Sequence, residues 1–154
     1  MIRNEKEYEI TRRRLDEIER VMAQQRVALE ATGLSAEEVK RGLDPMDGFR
    51  AQLREELAWY DRVRQRDFDT FQGLTNIGQL LIAARIANGL SQRELADRLR
   101  VSETQVSRDE RNEYHGITVE RAQRILDCLN ETVTVRLEAT PLTDARSFRS
   151  RSGG

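Results

Sequence analysis

The sequence predicts an all-α protein. It reads as an N-terminal antiparallel helical hairpin, then a compact unit of four to five short helices, with one short C-terminal β-strand paired across a dimer. Three observations carry this. Apolar residues recur every seven positions along two stretches of the first half. Short segments with helix-start signals crowd into residues 76–130. One stretch, "ETVTVRLE", alternates instead.

In the first stretch Tyr8, Leu15, Met22 and Leu29 repeat at heptad spacing, with Thr11, Ile18 and Gln25 between them. That is an a/d stripe on an otherwise charged helix. Gly33 punctuates it. Ser35 and Glu38 have capping-box spacing for a short helix that Gly42 would end. Asp44 would then cap a third helix with Pro45 in its first turn. Met46, Leu53 and Tyr60 form its stripe, thickened by Phe49, Leu57, Trp59 and Val63. Residues 1–70 therefore read as a hairpin, serving either as a dimerisation stalk or as a surface for a second protein. An isolated hairpin buries little, so its stripe needs a partner.

"FQGLTN" (71–76) marks a boundary, with Thr75 or Asn76 able to cap the next helix. Ile77, Leu80, Leu81 and Ala84 share one face, and Asn88-Gly89 stops that helix. Ser91 and Glu94 form a second capping box, with Leu95, Ala96 and Leu99 inward. Ser102 opens "SETQVSRDER", and Thr118 opens "TVERAQRILDCLN", with Val119, Ala122, Leu126 and Leu129 inward. These helices define a unit at 75–131. A strand arm at 132–139 follows, with Val133, Val135 and Leu137 on its apolar face. A lone strand leaves its ladder groups unpaired, so it predicts pairing with its own copy. The alternative is an extended arm packed on the domain. Residues 140–154 are Ser/Arg-rich and read as a disordered tail.

Composition bounds the function. The chain has 154 residues, 34% charged and 38% apolar, enough for one domain or two small ones with a small core. One cysteine, Cys128, excludes an internal disulfide. No apolar run approaches the ~20 residues of a membrane span. The first ten residues lack the apolar core of a signal peptide. The expectation is a soluble, cytoplasmic protein without a membrane partner. One His and one Cys give no metal-ligand spacing, and there is no phosphate-binding glycine loop or serine elbow. No enzyme activity, catalytic residue, metal or cofactor is expected. Net charge is −1, and no segment is strongly basic. A nucleic-acid site would have to come from local distribution.

Such a distribution exists in "SETQVSRDER". On a helical wheel Val106 is the central apolar residue, with Ser102 and Glu110 near its side. Thr104, Arg108 and Arg111 lie opposite, flanked by Gln105 and Ser107. These donors, acceptors and forked cations are the side chains that read base edges. Gln92 and Arg93 open the preceding helix, where backbone N–H groups bind phosphate well. His115 and Cys128 have no constellation around them.

The stretch "RIANGLSQRELADRLRVSETQVSRDERN" resembles the helix-turn-helix domain of the phage-repressor and Cro class, the XRE type of bacterial regulator. Leu90-Ser91-Gln92, Glu94-Leu95-Ala96, Val101-Ser102 and Val106-Ser107-Arg108 with Glu110 carry the likeness. The resemblance implies that the third helix of the unit enters the major groove with Thr104, Gln105 and Arg108 at base edges. Ser91, Gln92, Arg93, Arg100, Ser102, Ser107, Arg111 and Tyr114 would meet phosphates or flank them. It also implies a structural ion pair between Arg85 and Glu110, with Gln92 buttressing the recognition helix. Arg100 stands where the family usually has glycine, in a left-handed position that costs a non-glycine about 1 kcal/mol. Asp109 and Glu103 are acids on a helix meant to approach phosphate.

The functional expectation is a sequence-specific DNA-binding transcriptional regulator. It would repress as a homodimer on a near-palindromic stretch of double-stranded DNA, with recognition helices about 34 Å apart. The alternative is the antitoxin of a type II toxin–antitoxin pair, neutralising a protein toxin and autoregulating its operon. A third reading is an adaptor that brings an enzyme to DNA.

Overall fold

The structure is a computed structural model that describes residues 1–68 and 73–136. Its first helix, α1 (Glu5–Ala31), starts at Asn4, whose side chain accepts a 2.9 Å hydrogen bond from the Glu7 N–H. Glu5 and Glu7 in the first turn complement the positive end of the helix dipole. The helix ends at Thr32, and Gly33 turns the chain at φ 78°.

Helix α2 (Ala36–Arg64) begins with a complete Ser35/Glu38 capping box. It then runs on without interruption through Gly42, Asp44 and Pro45. The expected break into two helices is therefore corrected. Pro45 removes one backbone donor, a cost of about 3 kcal/mol in a helix interior. The burial of Val39 and Leu43 against Met22 offsets it, since a fully buried aliphatic side chain contributes about 1.5–3 kcal/mol. Gly42 is the place where α1 comes close: a Cβ there would lie 3.2 Å from Leu29 Cδ1.

The two helices run in opposite senses. Glu5 pairs with Arg64, and the Tyr8 hydroxyl donates to Asp61 at 3.2 Å. The Tyr8 and Tyr60 rings lie 5.2 Å apart, and Glu19 pairs with Arg54 further along. Leu53, Leu57, Tyr60 and Val63 are buried, but Phe49 is 48% exposed and lies outside the stripe it was expected to thicken.

Four short helices follow: α3 (Ile77–Ala87), α4 (Gln92–Leu99), α5 (Glu103–Arg111) and α6 (Val119–Leu129). A 3-10 turn (Leu74–Asn76) leads into α3. Serine and threonine caps start the last three, at Ser91, Ser102 and Thr118. Ile82, Leu95, Val106, Ile125 and Leu129 make the centre of their core. Ile2, Leu57, Tyr60 and Val63, at the open end of the α1–α2 pair, join the same cluster. The apolar stripe thus finds part of its cover within the chain.

Residues 131–136 have no regular secondary structure. Among the described residues no second strand lies alongside the expected one to form a ladder with it. Glu131 is anchored instead: Arg66 and Asn88 donate to its Oε1 at 2.6 and 2.7 Å. The Arg66 hydrogen bond, then that of Asn88, holds its carboxyl below the usual glutamate range. Val133 and Val135 beyond it are exposed. Leu137 and the 140–154 tail lie outside the described residues.

Gly78 on α3 tests this packing. A Cβ there would sit 1.8 Å from the Glu113 carbonyl oxygen, a backbone atom that cannot swing away. Gly78→Ala should destabilise the chain by about 1–3 kcal/mol or more in urea unfolding, the range for overpacking. An unchanged midpoint would mean that α3 and the 113–114 turn are not in contact.

Candidate nucleic-acid interface

The candidate interface centres on α5, and a buried cation decides how α5 sits. Arg85, on α3, is 2% exposed, and Glu110, on α5, is 1% exposed. The guanidinium donates to both carboxylate oxygens, Nε to Oε1 at 2.5 Å and Nη2 to Oε2 at 2.7 Å. Its other donors go to backbone carbonyls, Nη1 to Leu90 at 2.6 Å and Nη2 to Arg3 at 2.8 Å. The Gln92 amide adds a donor to Glu110 Oε2 at 2.7 Å. A bidentate pair with its spare donors and acceptors occupied is the arrangement that makes burial of two charges tolerable.

With Glu110 and Val106 facing inward, the opposite face of α5 is left to solvent. Thr104, Arg108 and Arg111 are exposed there, and Gln105 and Ser107 are half-buried at its edges. Glu103, Thr104, Ser107, Arg108 and Arg111 line one shallow depression. Neither Arg108 nor Arg111 makes an ion pair among the described residues. Two of the three acids on α5 are neutralised. Glu110 is held by Arg85, and Asp109 by Arg121 of α6. Asp109 therefore does not stand as a free charge against phosphate. Glu103 has no such partner among the described residues.

Helix α4 packs against α5. It ends at Arg100, which adopts φ 58°, ψ 44°. The Arg100 and Val101 N–H groups return to the Asp97 and Ala96 carbonyls at 3.2 and 3.0 Å, the Schellman pattern in which glycine is usual. Arg100 keeps its side chain exposed, as does Arg93 at the other end. Ser91 forms the capping box with Glu94 that its spacing predicts. Its N–H and hydroxyl both donate to Glu94 Oε2, at 2.8 and 2.7 Å, so they serve the cap. Ser102 is exposed, and its oxygen accepts from the Gln105 N–H at 3.2 Å. Cys128 braces α4 against α6: its carbonyl accepts from Arg98 Nη1 at 3.0 Å.

Tyr114 is a correction. It was expected at the phosphate backbone, but it is 6% exposed and belongs to the core. The turn after α5 places Glu113 and Tyr114 in the left-handed region, at φ 48° and 51°. That turns the side chain inward, with its Cβ beside Gly78. Burial, and then the nearby Glu110 carboxylate, raises the phenol pKa well above its ordinary 10.0. His115 next to it is exposed.

Ile2 and Arg3 were missed. A lone apolar residue in a polar leader carries no periodic signal, and a backbone carbonyl carries none at all. Among the described residues no group of three or more His, Cys, Asp or Glu side chains could hold a metal. No helix is long and apolar enough to cross a membrane.

The family comparison agrees with this geometry. Residues 81–135 match the family model described as helix-turn-helix, and that segment is of the XRE type. It spans α4 and α5 complete, together with most of α3 and all of α6. No curated protein and no solved structure gives a match.

Tyr114→Phe separates core from interface. Unfolded tyrosine ionises near pH 10 and the buried one does not, so its contribution to stability is present below pH 10 and lost above it. The substitution should flatten that alkaline loss in unfolding curves and leave DNA affinity unchanged. A many-fold loss of DNA affinity would return Tyr114 to the interface.

Proposed function

From the XRE-type helix-turn-helix at residues 81–135, we propose that the chain is a sequence-specific DNA-binding transcriptional regulator, a repressor acting as a homodimer on a near-palindromic operator. One observation carries the reading. The outer face of α5 is polar, cationic and free, while its inner face is locked by Val106 and the Arg85–Glu110 pair. Thr104, Gln105 and Arg108 read base edges in the major groove. Arg93, Arg100 and Arg111 meet the phosphates on either side, with Gln92, Ser102 and Ser107 flanking. Dimerisation adds the second half-site, and the exposed Val133 and Val135, with Leu137 beyond them, supply a strand for pairing between copies.

The antitoxin reading gives the α1–α2 pair a second duty. Val27 and Phe49, 66% and 48% exposed, lie outside both buried clusters and suit a protein partner. Deleting residues 1–70 does not separate the two readings. It would strip Ile2, Leu57, Tyr60 and Val63 from the core that α3 to α6 share.

DNA binding is tested by titrating the full chain against a selected operator duplex over a series of salt concentrations. Affinity should fall steeply with salt, and Arg108→Ala should cost about 1–3 kcal/mol and relax preference at one base position. Binding without salt dependence would contradict the reading, and an unchanged operator preference in Arg108→Ala would contradict the contact assignment.

A further inference from the structure

We propose that Lys6, on the first turn of α1, makes a flanking DNA-phosphate contact, so that the interface extends beyond the helix-turn-helix onto the N-terminal helix. The inference rests on the DNA-binding reading above and adds a residue outside the segment that carries it. Its basis is a groove shared by Asn4 and Lys6 of the N-terminal segment, Ser91 and Gln92 at the start of α4, and Glu103 at the start of α5. The first turn of α1 thus lies beside the two helix starts that approach DNA in this architecture.

Charge pairing singles out Lys6 within that turn. Glu5 is held by Arg64 at 3.1 Å, and Glu7 by Arg3 at 2.9 Å. Glu94, at the start of α4, is engaged in its capping box. Lys6 is exposed and makes no ion pair among the described residues. It is the uncompensated cation of its turn. It lines the same groove as Glu103, the one acid on α5 without an ion-pair partner among the described residues.

The position is rigid although the side chain is free. Ile2 is 1% exposed in the common core, and the Arg3 carbonyl accepts from Arg85. Asn4 caps the helix that Lys6 sits on. The residues around Lys6 are therefore tied to the same guanidinium that sets the recognition helix. A lysine held so contributes as a point charge, tolerant of contact geometry and blind to base sequence.

The test uses the full-length chain and a fluorescently end-labelled, mixed-sequence duplex, with anisotropy followed over a series of NaCl concentrations. Lys6→Gln should bind several-fold more weakly at low salt, with the slope of log affinity against log salt reduced by about 0.9, the value for one phosphate. Lys6→Arg should keep the parent slope. Arg41→Gln, at the far end of the hairpin, should bind as the parent does. A parent-like slope in Lys6→Gln would overturn this contact and leave DNA binding by the helix-turn-helix standing. Equal losses in Lys6→Gln and Arg41→Gln would overturn it too, by reporting net charge alone. A parent chain with no salt-dependent binding would overturn the DNA-binding reading itself.

Discussion

Arg85 is the constraint around which this chain is arranged. A guanidinium cannot give up its proton, so burying it obliges the fold to bring acceptors to its fork. Four acceptors arrive from three separate places: both oxygens of Glu110 on α5, the Leu90 carbonyl in the α3–α4 turn and the Arg3 carbonyl before α1. Each of these commits a piece of chain to one position. The turn must carry Leu90 back over α3, α5 must present Glu110 inward, and the N-terminal segment must cross the domain. Removing one partner would leave a buried charge exposed to no solvent and no counter-charge, which is why the arrangement is all or none.

What α5 offers outward follows from what it gives inward. Once Val106 and Glu110 are committed, Thr104, Arg108 and Arg111 have nowhere to go but the surface. The overall charge of −1 conceals this, because three of the acids near that face are consumed internally. Glu110 goes to Arg85, Asp109 to Arg121 and Glu94 to its own cap. A nearly neutral chain thereby keeps a cationic face.

Much of this was legible in the sequence, and the failures have physical causes. Capping boxes are local, so Ser35/Glu38 and Ser91/Glu94 lie where their spacing puts them. Arg100 is left-handed where the resemblance to the helix-turn-helix class sets a glycine. Gly42, Asp44 and Pro45 misled, because local stop signals were outweighed by the burial of Val39 and Leu43, a tertiary term that spacing does not reveal. Tyr114 misled for a similar reason: its place in the loop after α5 suggested the phosphate backbone, but two consecutive left-handed residues turned it inward. Ile2 had no periodic companions, so its burial depended wholly on a distant partner. The alternation in "ETVTVRLE" specifies a face without supplying a ladder, so no strand forms at 131–136 in one chain.

The buried pair, not propensity or general apolarity, holds α5 to the domain. A double-mutant cycle over Arg85→Met and Glu110→Leu, read by urea unfolding, measures it most directly. Each single substitution should cost about 3–5 kcal/mol, since each strands a buried charge, and the double substitution should cost no more than either single one. Costs that simply add would contradict this, because they would mean that Arg85 and Glu110 stabilise the fold independently.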